Sequence, residues 1–187
     1  MKKILLILFL FISLNLFSNQ TKTHYWYSFK HLNKNIENLE PFDIVILSKG
    51  KKFVQQFGHL FMVNKEKKLI EIKGFEDFYS DNPIYSFAHI TNRKVSVLRY
   101  TKMTKELIDE LDKLLPKYYN KKYSVIVGND PDNLYTYCSN FAYNIFAEAS
   151  KNIGLEKIEL VKNKFPILPY DFFQSDNLVN IYLGEEI

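Results

Sequence analysis

Cysteine occurs once in the 187 residues, at Cys138, so the chain cannot close an internal disulfide. Repeats, low-complexity tracts and any linker that would split a domain are also missing, which leaves one domain with a sizeable core. No apolar run reaches the about 20 residues that a membrane-spanning helix needs. An excess of charge is missing too. The formal charge is +4, and removing Lys2 and Lys3 with residues 1–18 leaves 23 basic against 21 acidic residues, or +2. That balance gives little reason to expect nucleic acid as a partner.

What is present begins with an export signal. Lys2 and Lys3 lead an almost unbroken Leu/Ile/Phe run from Ile4 to Leu14, followed by Ser18-Asn19-Gln20. A run this short, led by lysines, fits a secretory signal over residues 1–18, with retention as an N-terminal anchor as the alternative. No cysteine lies nearby, which excludes lipoprotein processing. The expected location is the periplasm or cell envelope, with peripheral envelope association open. Residues 19–187 are expected to form the single domain.

The rest reads as strands followed by helices and a late strand, an α+β pattern. Phe42–Leu47, Leu60–Val63, Leu69–Ile72 and Lys94–Tyr100 are β-rich, and the middle two read as a hairpin. Thr104 can cap a helix to about Tyr119, with Leu107, Leu111, Leu114 and Leu115 on one face. Gly128–Asn133 is a turn cluster without the ligand spacing of an EF-hand, and no metal is expected. Leu178–Leu183 is expected to close the domain as a strand.

Cys138 opens a helix running to about Ser150. Phe141, Ala142, Ile145, Phe146 and Ala149 continue its apolar face. In a first turn, free backbone N–H groups and the helix dipole stabilise a thiolate, and the same N–H groups can hold an oxyanion. A buried cysteine acting as a small hydrophobe fits this helix equally well. For a base, His24 and His31 lie in a polar segment and are expected in solvent, while His89 lies between elements. His59 opens a strand beside Gly58 and shares a face with Phe61 and Val63. Glu71, on the neighbouring strand, can orient a histidine ring or face solvent. Tyr135, Tyr137 and Tyr143 surround the start of the cysteine helix and can line a cleft or pack in the core.

Taken together, Pro41–Leu47, Gly58-His59, Ile70-Glu71 and Tyr137-Cys138-Ser139 resemble, in order and spacing, the permuted papain-like hydrolases of the NlpC superfamily, YiiX/YaeF-like branch. The resemblance covers about residues 40–183. It implies a circularly permuted papain-like fold, with an antiparallel sheet against the cysteine helix. The catalytic residues would be Cys138, His59 and Glu71, with Tyr137, Ser139 and Tyr135 holding the oxyanion or substrate. The implied activity is a cysteine hydrolase or acyltransferase that cleaves amide or ester bonds of a peptide, cell-wall or acyl-lipid substrate without a cofactor. Two positions depart from the family: Asn140 stands where Glu often follows Cys-Ser, and Leu60-Phe61 where small residues often follow the histidine. Both bear on substrate class more than on the nucleophile. The rival reading is a non-catalytic envelope protein of the same fold that binds lipid or cell-wall fragments.

Overall fold

The computed structural model describes residues 24–72, 79–125, 132–162 and 165–186. The expected signal over residues 1–18 and most of the 128–133 turn lie outside them.

Six antiparallel strands form one sheet. They are β1 (Ile44–Leu47), β2 (His59–Val63), β3 (Lys68–Ile72), β4 (Tyr79–Pro83), β5 (Val95–Tyr100) and β8 (Leu178–Asn180), in the order β4-β3-β2-β1-β5-β8. A two-residue parallel pair, β6 (Lys122–Tyr123) with β7 (Tyr135–Thr136), precedes the cysteine helix. The helices are α1 (Phe29–Lys34), α2 (Ile84–Phe87), α3 (Lys105–Leu114) and α4 (Cys138–Asn152). The molecule is therefore α+β.

Both faces of the sheet are buried, which explains why β1 reads Ile-Val-Ile-Leu without polar alternation. Side chains two apart share a face. Ile44 and Ile46, with Leu60, Met62 and Ile70, pack against α3 and α4. Val45 and Leu47, with Phe61, Val63 and Leu69, pack against Phe29, Leu32 and Phe87 of the thinner layer formed by α1 and α2. Each fully buried Leu, Ile or Phe contributes roughly 1.5–3 kcal/mol, so this double cover replaces the cross-links the chain lacks.

Thr104 caps α3 as expected, its hydroxyl accepting the Leu107 N–H at 3.2 Å. The helix tightens into a 3₁₀ turn over Leu115–Tyr118, where Pro116 removes a donor. The closing strand is shorter than expected and ends at Asn180. Asp43 is buried at 1 % exposure and accepts from Arg99 Nε and Nη2, both at 2.8 Å, which ties the entry of β1 to β5.

Two histidines expected in solvent are not there. His31 is buried, stacks on Tyr27, and its Nε2 lies 3.1 Å from the Leu183 carbonyl. His24 is half-buried with its ring 4.1 Å from that of Phe173. The C-terminal segment folds back over this polar stretch and covers it.

Candidate active site

The first turn of α4 meets the start of β2. Residues 59–63 alternate, which directs His59 to the same side as Phe61, and the two rings stand edge to face at 4.7 Å. Because His59 is the first residue of β2, its ring sits at the end of the sheet, where Cys138 arrives. Thiol and imidazole lie close enough that each shifts the other's protonation. The Nε2 of His59 donates to Glu71 Oε2 at 2.7 Å, which leaves Nδ1 for the sulfur. Glu71 is buried at 4 % exposure, not facing solvent, and Ser80 Oγ donates to its other oxygen at 3.4 Å. The hairpin pairs Met62 with Ile70 and Val63 with Leu69. Carried onward, this register sets Glu71 opposite Phe61 and diagonal to His59, within reach of a carboxylate.

The electrostatics favour a charged pair. Burial raises the Cys138 thiol pKa, but the His59 charge, the hydrogen bonds from His59 and Ser139, and the Leu60 backbone N–H outweigh it, so the net direction is down. Burial likewise lowers the His59 pKa. The charge and hydrogen bond of Cys138, followed by those of Glu71, reverse this and push it up to about 10. Both directions favour a thiolate–imidazolium pair, the reactive form of a cysteine nucleophile.

The expected supporting residues divide. Ser139 Oγ lies 3.7 Å from the sulfur. Tyr137 accepts the Ile167 N–H at its hydroxyl, 2.9 Å away, so its own proton remains to be donated. Burial, then the nearby Cys138, outweigh that bond, raise the Tyr137 pKa and keep it protonated. The Tyr137 side chain does not cap α4. Tyr135, in contrast, lies on β7 opposite Lys122 of β6, is 41 % exposed and is not a wall of the cleft. Tyr143 is buried in the core. His89 is exposed and away from the cleft. Asn140 is fully buried, its Oδ1 accepting from Thr136 and Asn144, so it braces the helix start rather than entering the site.

Cys138 and His59 open on a cleft of about 580 Å³. Its walls are mainly apolar, from Phe57, Val125 and the Pro166–Pro169 segment. Gly58, at φ +78, lets this segment close down: a Cβ there would lie 2.9 Å from the Tyr170 ring and 3.0 Å from the Leu47 carbonyl oxygen. Two wall residues escaped the sequence reading. Tyr123 has its pKa pushed up to about 12 by burial and then by the charge of Cys138, which marks it as a neighbour of the sulfur. Arg93 is the other, and a signal for it existed: this lysine-rich chain has only two arginines. Among the described residues no group of three or more His, Cys, Asp and Glu could hold a metal ion. No protein-family model matches the chain, and no curated protein is similar enough to match it.

Proposed function

We propose that the protein is an exported cysteine hydrolase or acyltransferase with a permuted papain-like fold, acting on amide or ester bonds. One observation carries this reading: a thiol at a helix start with its pKa shifted down by a neighbouring imidazole, and a buried carboxylate on the far ring nitrogen, with thiol and imidazole opening on one cleft. The placement of the histidine strand before the cysteine helix supports the permuted order, and residues 1–18 support export.

The Cys138 thiolate attacks the carbonyl carbon, and the oxyanion takes hydrogen bonds from the Cys138 N–H and the Tyr137 hydroxyl. His59 gives its Nδ1 proton to the leaving nitrogen or oxygen as that bond breaks, which leaves a thioester. Neutral His59 then takes a proton from water, or from an acceptor alcohol or amine, as it attacks the thioester. The acid or transferred acyl product leaves, and the thiolate–imidazolium pair is restored. Glu71 holds the ring and its charge throughout.

The test is labelling by an acyloxymethyl ketone. Native protein should be modified at Cys138, and His59→Ala should slow labelling by roughly 100-fold or more, within the range for loss of a general base. Native protein that stays unlabelled while folded would overturn the proposal and leave the non-catalytic binding reading.

A further inference from the structure

Among the described residues of the cleft stands one charged group for which the mechanism has no use. Arg93 lies just before β5, and its Nε donates to the Ser48 carbonyl at 2.6 Å, which fixes the plane of the guanidinium. Its Nη2 is buried and has no hydrogen-bond partner. Among the described residues no Asp or Glu lines the cleft, and none contributes to the electrostatics of Arg93. A buried donor without a partner is costly, and proteins rarely leave one unless a ligand completes it. Burial lowers the Arg93 pKa, with only Tyr170 opposing, yet an arginine stays protonated at any ordinary pH.

The other arginine shows what this protein does when it uses the residue structurally. Arg99 places Nε and Nη2 on Asp43, Nη1 on Glu40 and Nη2 also on the Asn38 carbonyl. The guanidinium of Arg93, on the same strand connection, receives none of this. In the same cleft Phe57 is 49 % and Leu168 37 % exposed, apolar surface open to an incoming molecule.

We propose that Arg93 is the anion-recognition residue of the cleft. The substrate carries a carboxylate or phosphate that docks on this guanidinium beside an apolar group held by the walls, while its amide or ester carbonyl reaches Cys138. This rests on the cysteine-hydrolase reading for the last step only. The anion site itself follows from the unpartnered Nη2 and from the lack of carboxylates among the described wall residues.

Calorimetric titration of the wild-type protein with hexanoate, hexyl phosphate and hexanol tests it without turnover. At least one anion should bind about tenfold or more tightly than hexanol, the scale of a charge-assisted hydrogen-bond pair. The tighter of the two identifies carboxylate or phosphate as the group recognised. Arg93→Gln should abolish the preference, and Arg93→Lys, which keeps the charge but not the planar fork, should keep part of it. Equal affinity for hexanol and both anions, or a preference that survives in folded Arg93→Gln, overturns the proposal. Should Arg93→Gln not fold, a preference unchanged in Arg93→Lys overturns it. Iodoacetamide labelling in parallel separates the two ideas: an inert Cys138 with an Arg93-dependent preference removes the hydrolase and keeps the anion site, and the converse does the opposite.

Discussion

The two arginines stand at opposite ends of β5 and teach opposite lessons. Arg99 is held by Asp43, Glu40 and a backbone carbonyl through all three of its nitrogens, and it fixes where β1 enters the sheet. Arg93 has one bond to a carbonyl and a buried nitrogen left over. The first is a clamp whose contacts all lie within the fold. The second keeps hydrogen-bonding capacity for something that is not part of the chain. The same side chain is thus structural or receptive according to whether the chain supplies its acceptors.

The largest effect should come from breaking the clamp. Arg99→Met leaves the Asp43 carboxylate buried and unpaired, and should cost about 3–5 kcal/mol in urea-unfolding stability, while Cys138 labelling per folded molecule stays the same. Next is Glu71→Gln, which keeps the ring in place but removes the charge behind it. Turnover of an activated ester should fall by about 100-fold or more. The pH profile of that turnover sharpens the reading. Wild-type activity should rise as the Cys138 thiol loses its proton, below the ordinary thiol value of 9.0, and fall near pH 10 as His59 deprotonates. Because Glu71 helps raise the His59 pKa, Glu71→Gln should move the alkaline limb to lower pH. The smallest effect is Arg93→Gln, which loses one bond to Ser48 and should change stability by no more than about 1 kcal/mol. A loss as large as that of Arg99→Met would make Arg93 a second clamp and erase the comparison.

Cys138, His59 and Glu71 were legible because each left a local mark: an apolar helix face with a thiol in its first turn, a histidine beside a glycine at a strand start, and a glutamate within an isoleucine strand. Arg93 left only its rarity, as one of two arginines, since its place depends on Ser48 and on a cleft it shares with the distant Pro166–Pro169 segment. Strand β4 was missed for a related reason. Tyr-Ser-Asp-Asn-Pro lacks β propensity, but an edge strand needs only one partner, and β3 supplies it. His31 read as solvated because the carbonyl that receives it belongs to Leu183, 152 residues away. What sequence reading handled worst were contacts made by segments far apart along the chain.

Gly58 has a consequence for selectivity. Tyr170 cannot simply retreat from position 58, because its hydroxyl takes the Lys49 N–H at 3.0 Å. A single methyl inserted there would act as a wedge between the histidine strand and the opposite wall, forcing the aperture to a new width. The size of molecule admitted to the sulfur is therefore set by an omission, the one position among the described wall residues that carries no side chain to adjust.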